Sequence, residues 1–238
     1  MIGPEASRGH PELYANGIRA LCNANTSEGF RPGQDVSVPE INLYDGDMPP
    51  QLTAPAATSS RPFLAFFAGR RHGHVRDLLL RHWKDRDPAA FPVYERGHGD
   101  DDDGDGFDYY SHSRTCGARG SACARAMGGP SIGTCPRVVH CAGRPRRVCV
   151  PVLVSDGYAP PFADVLRWEA FSVAVPVDDI PKLREVLERI PAVEVERMQQ
   201  GVRLVERHFL LHQPPETDMF HMILHSVWLR KLNVRLDR

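Results

Sequence analysis

Apolar positions along this chain follow two rhythms, one helical and one strand-like. Leu13, Tyr14, Ile18, Leu21 and Cys22 fall on one side of a 3.6-residue repeat and predict an amphipathic helix over 11–22. Val36-Ser37-Val38-Pro39-Glu40-Ile41-Asn42-Leu43 is rich in branched residues and predicts a short strand, placed at an edge by Pro39. Phe63-Leu64-Ala65-Phe66-Phe67-Ala68 is an unbroken apolar run ending at Gly69, the pattern of a strand buried on both faces of a parallel sheet. Val75, Leu78, Leu79, His82 and Trp83 then mark one helix face, so strand, basic turn and helix open a βαβ unit. Runs at 148–154 and 171–175 predict two more strands, with the helix-length stretch Pro161 to Trp168 between them. Asp178-Asp179 starts a helix through Ile190 with Pro181 in its first turn. Repeats over 195–209 and 220–228 predict two long helices at the end of the chain. Strands alternating with helices predict an α/β fold with a doubly wound parallel sheet.

Composition divides this pattern. Prolines and a Thr/Ala/Ser tract between Tyr44 and Pro62 suit a connector better than a core element. The boundaries are therefore a first region over 1–50, a linker over 51–62, a main domain over 63–212 and a closing helix over 213–238. Asp100 to Asp108 holds six Asp among glycines and reads as a solvated, disordered loop. Of the 36 residues from Ser113 to Val148, 25 are Arg, Gly, Ala, Cys or Pro, and none is Asp, Glu, Leu, Phe, Tyr or Trp. All five enriched residues have GC-rich codons, so the simplest reading is coding DNA translated in a shifted frame, with the native frame recovered near Cys149. The alternative is a basic, cysteine-rich loop. The Cys spacings at 116, 123, 135, 141 and 149 fit no standard zinc pattern.

The bulk chemistry excludes some partners. A formal charge of -1, with 42% hydrophobic and 25% charged residues among 238, gives no net electrostatic attraction to nucleic acid. The sequence as given shows no run of about 18 apolar residues, and Met1 to His10 lacks the apolar core of a signal peptide. Asn25-Thr26-Ser27 fits the acceptor triplet for N-glycosylation, which matters in a secretory lumen.

The run FLAFFAGRRHGHVRDLLLRHW over 63–83 resembles the exostosin-type glycosyltransferases, particularly their plant cell-wall branch. The likeness extends back through CNANTSEGF and SVPEINL. It continues forward through VPVLVSDGYAPPFADVLRWEAFSVAVPVDDIPKL to FHMILHSVW and LNVRL, omitting Asp100 to Val148. It implies a GT-B-like fold of two Rossmann-like domains, of which this chain supplies a remnant of the first and the C-terminal, nucleotide-sugar-binding one. It also implies a Golgi protein with a membrane anchor and a luminal catalytic region; neither the anchor nor most of the first domain is in this sequence. Its donor would be a nucleotide sugar and its acceptor a polysaccharide or glycan. Complexes with other glycosyltransferases are a further implication, and Asn25 becomes a glycan acceptor.

An inverting transferase must stabilise a departing diphosphate, and enzymes of this type use helix N-termini and basic side chains without a bound metal. Gly69, His72, Gly73 and Arg76 supply those ingredients at the strand-to-helix turn, Arg76 being the first phosphate candidate; a solvated basic turn is the alternative. The family's donor motif resembles a Cys-Pro-Ser-Gly turn, a Glu, a Ser-Pro-Arg and a second Glu opening a helix. Here Pro136, Arg137, Val138 and Val139 survive, and His140 stands where the second carboxylate is expected, offering one acceptor in place of two oxygens. No general base is assigned. Asp45-Gly46-Asp47 and Asp103-Gly104-Asp105 imitate a metal-binding Asp-x-Asp, but both lie in Gly-, Pro- or Asp-rich loops, and no metal or other cofactor is expected.

Overall fold

The structure is a computed structural model that describes residues 10–39, 64–71, 73–96, 137–140 and 150–231. The linker 51–62, the aspartate-rich stretch and the cysteines from Cys116 to Cys149 lie outside the described residues.

Helix α1 spans Pro11–Asn16 and is shorter than the periodicity predicts. It stops at Gly17, whose extended backbone and N–H donation to the Leu13 carbonyl close the last turn. Leu21 and Cys22 belong instead to strand β1, Ala20–Cys22, which pairs in parallel with β2, Val36–Val38. Between them Asp35 is fully buried. It accepts from the Nε atoms of Arg19 (2.9 Å) and Arg31 (3.0 Å), and Tyr14 lies under the Arg19 guanidinium at 4.3 Å. Burial alone would raise the Asp35 pKa, but the hydrogen bonds from Arg19 and Arg31 outweigh it and hold the carboxyl well below the usual range.

The main sheet has five strands in the order β4-β3-β5-β6-β7. These are β3 (Ala65–Arg70), β4 (Val93–Arg96), β5 (Arg137–His140), β6 (Val150–Val154) and β7 (Val173–Val175). Helix α2, Gly73–Trp83, crosses over between the parallel neighbours β3 and β4, as the βαβ reading anticipates. Strands β6 and β7 are also parallel. Strand β5 runs antiparallel to both β3 and β6, so the sheet is mixed and not the wholly parallel one expected. The cause is connection length. Only the nine residues 141–149 separate β5 from β6, and a parallel crossover takes about a dozen or more. Strands β3, β4, β6 and β7 therefore share one direction, with β5 reversed in their midst.

Strand β6 is buried at every position, as its apolar run predicts. Val152 and Val154 enter one core with Phe67, Leu80, Trp83 and Ile180, while Leu153 enters a second with Phe162, Trp168, Phe209 and Met219 on the other face. Buried indoles keep hydrogen-bond partners: Trp83 donates to the Ile180 carbonyl (2.7 Å) and Trp168 to that of Pro161 (2.8 Å). The stretch 161–168 forms turns and no α-helix; its two adjoining prolines and the left-handed Phe162 (φ 58°) oppose one. Residues 177–182 make a 3-10 helix before α3 (Leu183–Glu188), because Pro181 withholds the N–H that an α-helix needs there. Helices α4 (Ala192–Val205) and α5 (Met219–Lys231) complete the chain's described part. Helix α5 packs on β2, where Arg230 donates to the Asp35 carbonyl at 3.1 Å.

Candidate functional site

Two connections leave the carboxyl edge of the sheet in opposite directions: β3 leads to β4 on one side and β6 to β7 on the other. That divergence is a topological switch point, the place where open α/β sheets bind ligands. Strand β5 lies inside it.

The first wall is the turn between β3 and α2. Gly69 is the penultimate residue of β3, and Gly73 opens α2 with φ at +75°, a left-handed conformation that glycine adopts without a steric penalty. A Cβ on Gly73 would meet nothing within 4 Å, so conformation and not space demands the glycine. His72 lies outside the described residues. Arg71 is committed to neighbours, with Nε 2.9 Å from Glu95 and a guanidinium nitrogen 3.3 Å from Asp77. Lys84 donates to Glu95 as well (2.7 Å), and hydrogen bonds from Lys84 and Arg71 lower the Glu95 pKa against its burial. Arg76 stands in the first turn of α2 and is only 7% exposed, on the inner face with Leu79, Leu80 and Trp83. The inner face is thus rotated from the one the apolar pattern marks, and it carries a guanidinium to the positive end of the helix.

Strand β5 sorts the remaining candidates. Arg137 pairs with Leu153, near the carboxyl end of β6, so it stands toward the same edge as Gly69 and Gly73. His140 pairs with Ala65 and Val150, the first residues of β3 and β6, and so lies at the opposite edge. Three residue steps of extended chain put Arg137 and His140 about 10 Å apart. In the family's motif the second carboxylate, at the position of His140, opens a helix. Here Arg137–His140 form a strand, because Val138 and Val139 favour extended backbone and the frames on both sides offer open hydrogen-bonding edges. Pro136 lies outside the described residues.

The second wall is the loop after β6, where the sequence pattern assigns no site residue. Asp156 is exposed and its Oδ1 accepts from the Val177 amide at 3.1 Å, tying the loop to the end of β7. Gly157 and Ala159 are stitched to the small sheet: Thr26 donates to the Gly157 carbonyl (2.9 Å), Ala159 to that of Ala24 (2.8 Å) and Phe162 to that of Ser37 (2.8 Å). Asn25 is buried in this seam and forms an antiparallel bridge with Tyr158. A Ser-Asp-Gly sequence directly behind a buried strand was the available signal for a functional loop. Among the described residues no cluster of His, Cys, Asp and Glu has the geometry to hold a metal ion.

Comparison with known proteins agrees with the sequence resemblance. Residues 146–190, which hold β6, the stitched loop and β7, match the Exostosin GT47 domain. Two probable glycosyltransferases of Arabidopsis thaliana are 45% and 42% identical, each over 98% of this chain and over 42% and 46% of their own lengths. A probable glucuronoxylan glucuronosyltransferase of the same plant is 37% identical over 38% of this chain and 20% of its own length. The chain thus spans less than half the length of these curated relatives.

Proposed function

We propose that this chain, which is similar to exostosin-type glycosyltransferases along almost its whole length, forms the donor-binding part of a transferase. That enzyme moves a sugar from a nucleotide-sugar donor to a polysaccharide or glycan acceptor. The observation that carries the reading is the switch point at the carboxyl edge of the sheet, where Gly73 turns the chain into α2 and Arg76 stands in the first helical turn. A helix N-terminus and a guanidinium at a strand's carboxyl end suit a diphosphate, whose charge grows as the sugar leaves. Arg137, placed toward the same edge by its register on β5, is the second candidate for that leaving group.

In the inverting reaction the acceptor oxygen attacks the anomeric carbon from the face opposite the diphosphate. The carbon–oxygen bond to phosphate breaks with its electron pair passing to the leaving group, and a base takes the acceptor's proton. Positive groups of the protein do the work that a metal does elsewhere, so chelators leave the reaction intact. A Golgi lumen is the compartment that the family resemblance implies for this activity; among the described residues no helix is long and apolar enough to cross a membrane.

Calorimetric titration of the purified chain with uridine and guanosine diphosphates tests the reading. One of them is expected to bind saturably with or without EDTA, and Arg76→Gln to weaken it by about tenfold or more, the value of a charged hydrogen bond. Absence of binding by either nucleotide would count decisively against it. A second reading, a non-enzymatic partner of a working transferase, is favoured by two observations: 113–148 holds neither Asp nor Glu, and His140 lies at the far edge. It requires no hydrolysis or transfer of a nucleotide sugar by the purified chain, together with co-purification with a family member.

A further inference from the structure

We infer that Asn25 is a positioning residue that fixes the second wall of the donor edge, by locking the loop after β6 onto the small sheet; the consequence for donor binding rests on the function proposed above. Asn25 is 8% exposed. Its Oδ1 accepts from the amide of Ser27 (2.9 Å) and from the Ser27 hydroxyl (2.8 Å), capping the 3-10 turn Thr26–Glu28. Its own carbonyl accepts from the amides of Glu28 and Phe30, each at 3.1 Å. Held this way, the turn presents the Thr26 amide to the Gly157 carbonyl at 2.9 Å and lets Asn25 bridge Tyr158.

The loop is shaped for this side chain. A Cβ on Gly157 would lie 2.6 Å from Asn25 Oδ1, closer than real contacts allow, and 3.0 Å from Thr26 Oγ1, tighter than most. Gly157 is therefore required by the place Asn25 occupies, and its φ is not left-handed. Asp156, one residue earlier, is pinned from the other side by the Val177 amide. Between these fixed points Ser155 and Asp156 are held at the carboxyl edge of the sheet, the edge that also carries the turn with Gly73 and Arg76. A glycan on Asn25 would have to occupy the same buried space, so the acceptor triplet and the joint are mutually exclusive in the folded chain.

The test combines hydrogen exchange with titration by uridine diphosphate on the full chain. Asn25→Ala is expected to speed exchange of the Thr26 and Ala159 amides by about tenfold and to weaken uridine diphosphate by about fivefold, the loss of roughly one hydrogen bond. Asn25→Asp, which keeps the Oδ1 acceptor and destroys the glycosylation triplet, is expected to restore both. Gly157→Ala drives a methyl group into Asn25 from the other side and should reproduce both changes, so a failure of Asn25→Ala to fold does not end the test. Unchanged exchange in these variants, or a glycan on Asn25 of folded protein made in a secretory host, overturns the joint. Faster exchange with unchanged nucleotide affinity overturns the positioning role. If the wild-type chain binds no uridine diphosphate while exchange still responds, the donor reading and the positioning role fall and the joint stands.

Discussion

Gly201 sits where helix α4 passes closest to the segment that leads into β7. A Cβ there would lie 2.8 Å from Phe171 Cβ and 3.1 Å from the Ala170 carbonyl, both stiff parts of the chain. Alanine in mid-helix ordinarily gains up to about 1 kcal/mol over glycine. Here the overlap wins, since forcing an extra carbon into a packed contact costs about 1–3 kcal/mol. Gly201→Ala is therefore expected to lower the melting temperature by about 2–4 °C per kcal/mol lost, whereas the same change at an open helical site would raise it. A melting temperature that stays level or rises would show that helix and segment can separate freely. Residue-level signals of this sort are hard to see in a sequence. A glycine in an amphipathic helix, such as Gly201, and one in a Ser-Asp-Gly turn, such as Gly157, look like breakers until the structure shows what lies beside them.

At the scale of elements, α5 depends on its first residue outside the helix. Asp218 is fully buried and accepts from the Phe220 amide (3.1 Å), two positions into α5, and from the His212 amide (2.8 Å), which closes the loop before it. The Nδ1 atoms of His221 and His212 lie 3.2 Å and 3.5 Å from its carboxylate oxygens. Burial opposes ionisation, but the hydrogen bonds from His212, His221 and Phe220 prevail and the Asp218 pKa is lowered from 3.8. A carboxyl with a depressed native pKa contributes stability above its unfolded value and loses it as pH falls through the native one. The contribution is thus complete at neutral pH and fades below 3.8. Asp218→Ala is expected to cost about 0.5–2 kcal/mol at pH 7 and to flatten the stability curve in acid, as read by denaturant unfolding at several pH values. Equal losses at pH 7 and pH 3 would contradict the capping role. The periodicity at 220–228 revealed α5 itself, and the long apolar runs revealed β3 and β6. Strands β4 and β5 were not readable in the same way: each is four residues long, and each takes its form from an open neighbouring edge more than from its own pattern.

Over the whole molecule the sequence suggested two parts, and the hydrogen bonds argue against their independence. A two-stranded sheet such as β1–β2 is marginal alone in water. Here it is sewn to the main body at Ala24, Asn25, Thr26 and Ser37 on one side, and through Arg230 of α5 on the other. None of these bonds joins residues near in sequence, and most use backbone groups that any residue supplies, so no motif announces them. The candidate turn from Gly69 to Arg76 lies on one strand-turn-helix unit and so shows in the local pattern, whereas the stitched loop needs contacts across more than a hundred residues. Small and main sheets are accordingly expected to melt together in one calorimetric transition. Asp35→Ala, which strips Arg19 and Arg31 of a fully buried partner, should shift that single transition downward by about 3–5 kcal/mol without splitting it. Two separated transitions in the wild-type chain, with only the lower one moved by Asp35→Ala, would mean that the seam does not couple the sheets. The loop after β6 would then be held by the main body alone.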